Sequence, residues 1–249
     1  MLNIFELKSH NQPYITMEKT YENVSYFVVI ILAFVLWGFY RTYFGLFPTF
    51  QGITNLQHFH GFMLVSWFAM LIAQPFLIRY KKYELHRSFG KLAYVQVPLI
   101  LLSIFLVTEG QFHRMEPPIP KALNLGALAL NLPTIVVFGT LYMLAMISKK
   151  NTAYHMRYMI ATSFLMLGPG IARAFIIYGH MPFPMAIDWS MMIEEELTIG
   201  FILYDFMNKR PYKPYLITLL MLVGIHLLWA FRMSAPWQEF AGIFSGLLF

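Results

Sequence analysis

The sequence predicts an all-α integral membrane protein, a seven-transmembrane-helix bundle with its N-terminus in the cytoplasm and its C-terminus outside. Three observations carry this. Seven apolar runs follow one another along the 249 residues, each of the ~20 residues that cross a hydrocarbon core about 30 Å thick. Hydrophobic residues make up 58%, aromatic residues 18% and charged residues only 12%, where a soluble domain carries about 25% charge. Lysine and arginine, finally, collect in alternate connections.

The expected spans are Val24–Phe47, His58–Tyr80, His86–Thr108, Ala122–Ser148, His155–Tyr178, Met185–Asn208 and Pro214–Arg232. Each reads as a helix, because a spanning segment must satisfy its own backbone hydrogen bonds and none shows the alternation of a barrel strand. Short connections make sequence neighbours antiparallel neighbours in space. Residues 1–23 form a polar N-terminal arm, residues 24–232 the membrane domain, and residues 233–249 an interfacial tail with Trp237 among Phe and Leu. Val24–Phe47 is too long for a signal-peptide core and lacks a small-residue cleavage site, so it is expected to stay as the first span. Gln74-Pro75 and Asn131-Leu132-Pro133 interrupt spans two and four, and proline in spans is ordinarily a packing kink.

Orientation follows from the cations. The N-terminal arm, the second, fourth and sixth connections and the adjoining helix ends hold Lys8, Lys19, Arg79, Lys81, Lys82, Arg87, Lys91, Lys149, Lys150, Arg157, Lys209, Arg210 and Lys213; the other side holds Arg41, Arg114, Lys121, Arg173 and Arg232. The excess side is the cytoplasmic one, in an inner (plasma) membrane of the bacterial type. The net charge of +6 is therefore a matter of topology, and nucleic acid is excluded as a partner because the cations sit in short loops beside apolar spans. The absence of cysteine excludes disulfides, iron–sulfur clusters and thiolate zinc sites.

Ionisable groups inside spans are costly and therefore informative. At the inner end, His86 opens the third span within Leu85-His86-Arg87 and His155 opens the fifth within Tyr154-His155-Met156. His86 shares its helix face with Gly90 and Ala93 at i+4 and i+7, small residues that leave room for a flat macrocycle. The plainer alternative is a pair of histidines that bind lipid phosphate or cap neighbouring helices. His155, Thr162, Met166, Pro169 and Arg173 form one stripe of the fifth helix, loosened at Gly168-Pro169-Gly170.

The outer half is richer. His58 and His60 open the second span about 200° apart on the helix, with His60 the one expected to face inward because Trp67 follows at i+7. Glu194, Glu195 and Glu196 lie near the middle of the sixth span, and a charged group there costs about 3 kcal/mol. Arg41, His60, Arg173 and His226 are available to relieve that cost. The economical expectation is one polar cluster drawn from five helices, with Glu195 preferred because it shares a face with Asp188 at i−7. Either an ion-pair network that fixes helix register or a cavity for a metal, a proton path or an anion would account for it. As a metal site, His58, His60, Glu195 and His226 would suit zinc, iron, copper or manganese. His113 and His180 fall in outer loops.

The residues His60-Gly61-Phe62-Met63, Trp67, Pro75, Arg79-Tyr80 and Leu85-His86-Arg87 resemble those of multi-span b-type cytochromes of the ascorbate-reducible and ferric-reductase-like kind. The resemblance implies haem b held between histidines of neighbouring helices, one pair near each membrane face: His86 with His155 inside, His60 or His58 with His226 outside. It also implies electron transport, with a membrane or redox partner besides the bilayer. The chain departs from those proteins in its number of spans and its midplane glutamates. Two alternatives stand beside this expectation: a non-haem metal-dependent membrane enzyme, and a proton-coupled transporter or sensor built on the Glu–His–Arg cluster.

Overall fold

The structure, a computed structural model, describes residues 21–114 and 119–249; nearly all of the N-terminal arm, with Lys8 and Lys19, lies outside the described residues. Among the described residues, 84% are helical and none is in a strand. The helices are α1 (Val24–Phe39), α2 (Asn55–Arg79), α3 (Tyr83–Gly90), α4 (Ala93–Arg114), α5 (Lys121–Ile147), α6 (Thr152–Gly179), α7 (Phe183–Met207), α8 (Lys213–Ala230) and α9 (Ala235–Leu248). Five helical stretches are long and apolar enough to cross a membrane: Asn55–Arg79, Tyr83–Arg114, Lys121–Lys150, Thr152–Gly179 and Lys213–Ala230. Such a set fits a membrane-embedded protein. α1 is apolar but shorter, at 16 residues, and α7 is long but acidic, carrying Asp188, Glu194, Glu195, Glu196 and Asp205.

Local chemistry sets the helix ends. The first helix stops at Phe39 rather than Phe47: residues 40–43 turn, Phe44–Leu46 form a single 3-10 turn, and Pro48 holds Phe47 in the extended region (ψ 140°). α2 starts earlier than expected, at Asn55, behind a capping box in which the Thr54 side chain accepts from the Gln57 amide and Gln57 answers to the Thr54 amide. His86 lies in the first turns of the third stretch, on the eight-residue α3, which ends at Gly90; α4 continues the stretch from Ala93. α3 orients Glu84 in its first turn and Arg87 in its last, in accord with its dipole.

α6 is the hub. It packs against α1, α2, α5, α7 and α8, and 67% of its apolar window is buried against at most 33% for the other four stretches. Around it, large apolar side chains such as Phe62, Val95, Val136 and Leu220 face outward, as a lipid-facing surface requires. α1 approaches α6 so closely that a Cβ on Gly38 would overlap the Gly170 backbone, and one on Gly170 would press on Val35; small residues are what permit such a crossing. α9 lies on α5, where Trp237 donates to the Leu125 carbonyl (3.1 Å) and Gln238 to the Ala122 carbonyl (3.0 Å).

Candidate functional site

Two cavities hold four of the polar groups singled out above, His86 and His155 in one and Arg173 and Glu194 in the other. The larger, about 480 Å³, lies at the cation-rich end between α1, α2, α3, α4, α5 and α6. Its floor is apolar, with Val28, Leu71, Met146 and Ile160, and Arg87, Lys91 and Lys149 line it on the loop side. His86 and His155 both line it, as do Gly90 and Ala93. Hydrogen bonds orient the two imidazoles differently. His155 Nδ1 lies 2.8 Å from the Ala145 carbonyl, which can only accept, so Nδ1 carries the proton and Nε2 keeps its lone pair. Such a bond is the usual support for a metal-ligating histidine. With its amide turned so that the nitrogen faces the imidazole, Gln74 donates to His86 Nδ1 and, at 3.2 Å, to the His86 carbonyl, and its amide oxygen accepts from the Gly90 N–H at 3.2 Å. His86 in this arrangement carries its proton on Nε2.

The second cavity, about 360 Å³, lies between α4, α5, α6, α7 and α8. It contains two members of the expected outer cluster, Arg173 and Glu194. Glu194 is the innermost of the three glutamates, only 7% exposed, and its Oε1 accepts from the Gly168 N–H at 2.7 Å. A Cβ at position 168 would collide with that carboxylate, so glycine is what admits it. Arg173 donates to the Pro169 carbonyl (3.1 Å) and stacks its guanidinium 4.2 Å over Phe39.

The remaining members are dispersed. His226 Nδ1 lies 2.9 Å from Glu195 Oε1, and Trp229 Nε1 donates to Asp188 at 2.7 Å. Asp188 and Glu195 thus do share a face, but it is turned to α8, whereas Glu194 faces α6. His60 Nδ1 lies 3.0 Å from Ser103 Oγ, whose own proton goes to the Ile100 carbonyl (2.7 Å). His58 pairs with the Tyr43 hydroxyl at 2.6 Å, and burial raises that hydroxyl above the ordinary tyrosine range. Arg41 is exposed just past the end of α1, and Glu196 is exposed on the outer face of α7.

The five-helix cluster therefore resolves into separate contacts, for a geometric reason. α2 packs on α1, α3, α4 and α6, and α8 on α5, α6 and α7, so α6 stands between His60 and His226. Among the described residues, no three His, Asp or Glu side chains gather as a metal would need; His58, His60, Glu195 and His226 are not one ligand set. His113 and His180 are exposed.

One buried site has no counterpart in the sequence reading. Arg157, far from being a loop cation, is fully buried and bonded to Asp205 through Nε (2.7 Å) and Nη2 (2.9 Å). Tyr21 donates to the same carboxylate at 2.9 Å. Burial pushes the Tyr21 hydroxyl well above its ordinary range, so it stays a donor.

The fold and cavities define a helical bundle of membrane type with two interior sites. Comparison of the chain with protein-family models, with characterised proteins and with solved structures finds no match.

Proposed function

We propose that the protein spans an inner (plasma) membrane seven times and acts there as a redox carrier, with one haem b in the cavity between His86 and His155. α1 through α8, with α3 and α4 forming one span, supply the seven crossings. The observation that carries the reading is that two imidazoles from different helices line one cavity, floored by apolar side chains and flanked by Gly90 and Ala93, with His155 Nε2 free to ligate. Its volume falls in the range of about 300–1,000 Å³ usual for cofactor sites. A bound haem would supply one-electron chemistry. His155 would be the anchoring ligand. His86 would join it by moving its proton to Nδ1, with Gln74 turning its amide oxygen to accept. Lys91 and Lys149 at the loop side would neutralise acidic groups on the ring edge. An outer haem between His60 and His226 is not part of this proposal, since α6 separates them.

An absorbance spectrum of the purified protein from haem-replete cells tests it. The expected result is a Soret band and an α-band that sharpens on reduction, with about one haem per chain. His155→Ala should abolish both bands, and His86→Ala should leave a weakly held, high-spin species, each with unchanged helical circular dichroism. A featureless spectrum of the folded parent protein would end the haem reading.

A further inference from the structure

The second cavity is lined by a carboxyl and a guanidinium, those of Glu194 and Arg173, that form no ion pair with each other among the described residues. Glu194 is almost wholly buried, spends one carboxylate oxygen on the Gly168 N–H (2.7 Å), and forms no ion pair among the described residues. Arg173 is tied one residue further on, to the Pro169 carbonyl (3.1 Å), with Phe39 under its guanidinium. Two hydroxyls complete the lining. Thr134 and Ser190 donate to carbonyls of their own helices, at 2.7 Å and 2.8 Å, so each presents only lone pairs to the cavity. Gln111, exposed and 3.4 Å from Asn131, places the mouth at the end opposite the histidine pair.

We infer that this cavity is a binding site for a small zwitterion bearing an ammonium group and a carboxylate. The ammonium would sit on the free oxygen of Glu194 and the hydroxyl lone pairs of Thr134 and Ser190. The carboxylate would take the guanidinium of Arg173. Each group then gains the charge-assisted partner that the protein alone withholds, and the ligand buries no net charge in the bundle. The apolar side chains of Leu130, Leu165, Ile176 and Ile187 supply a wall against which a methylene chain can lie. This inference is independent of the haem reading: it uses different residues, the opposite end of the bundle and a ligand without colour.

The experiment is calorimetric titration of the full chain in detergent micelles with the ω-amino carboxylates from glycine to 6-aminohexanoate, against propylamine and propionate. One or two members of matching length should bind, each at least roughly tenfold tighter than either monofunctional control. Glu194→Gln and Arg173→Gln should each return that member to the level of the controls. Asn131→Leu, which fills the mouth without touching either charge, should weaken it too, and serves if a charge variant does not fold. A series no better than the controls in the parent protein would overturn the inference. So would propionate binding as tightly as the best zwitterion, or tight binding that survives all three substitutions.

Discussion

Arg157 and Asp205 meet with both side chains wholly out of solvent, which makes them the most sensitive pair in the molecule. A buried ion pair contributes little against an apolar replacement, but removal of one partner strands a charge and costs about 3–5 kcal/mol. Asp205→Ala should therefore lower the thermal midpoint in micelles sharply, whereas the double change Arg157→Met with Asp205→Leu should recover most of the loss. Equal losses in the single and double variants would show that the ion pair is not the origin of the effect. Neither residue announces this role in the sequence. Arg157 counts there only as one of the cations at the inner ends of the helices; its partnership with Asp205 spans 48 residues and no periodicity reveals it. Gln74 is similar. It reads as half of a proline kink, yet its amide lies against the His86 imidazole. What was legible at this scale was the composition of the sites: His86, His155, Arg173 and the glutamates are visible because charge and imidazole are rare in apolar runs. Their distribution between α6- and α8-facing contacts was not, because three consecutive glutamates sweep most of a helix circumference.

At the scale of elements, the apolar runs fix the number and order of the long helices, and caps and breakers fix their ends. The sequence run overshoots α1 because aromatic residues continue past Phe39 while Pro48 and Gly45 act against the helix. It does not show the break that follows His86, because Gly90 looks like one small residue in a long apolar window, where it ends the short α3 ahead of α4. The packing of α1 on α6 depends on backbone contact that only glycine allows. Gly38→Ala and Gly170→Ala should each force the helices apart and destabilise by about 1–3 kcal/mol, the ordinary penalty of overpacking. Gly200→Ala, where an added Cβ meets nothing, should be neutral or slightly stabilising. Thermal melts of the three variants in one detergent check this; three equal midpoints would mean that α1 can yield without cost. The same crossing positions Phe39 beneath Arg173, so the Gly38 variant should also loosen the stacking of this guanidinium.

For the whole molecule, the proposed topology rests on charge rather than on any single contact. The start of α1 is tied to the end of α2 through Arg79, which reaches Glu22 at 3.5 Å and Asn23 at 3.3 Å. Tyr21, Arg157 and Asp205 bring the ends of α1, α6 and α7 to that same level. Lys81, Lys82, Lys149, Lys150, Lys209 and Lys213 therefore gather at one end of the bundle. The burial of Arg157 removes one cation from the loop count, and the bias survives it. Cations held in short loops are retained in the cytoplasm, so that end should face inward and α9 should lie on the outer surface. Reporter fusions after Lys81 and after Lys149 should both signal cytoplasm, and a fusion after Phe249 should signal the outside. A cytoplasmic signal from the C-terminal fusion with both loops inside would mean that one of the seven helices does not cross. α7 is the helix to suspect, because its acidic residues cost the most in lipid and only its contacts with α6 and α8 offset that cost. Replacing Glu194, Glu195 and Glu196 together with Gln would then restore the outer signal, whereas a helix that already crosses would give the same topology with and without them.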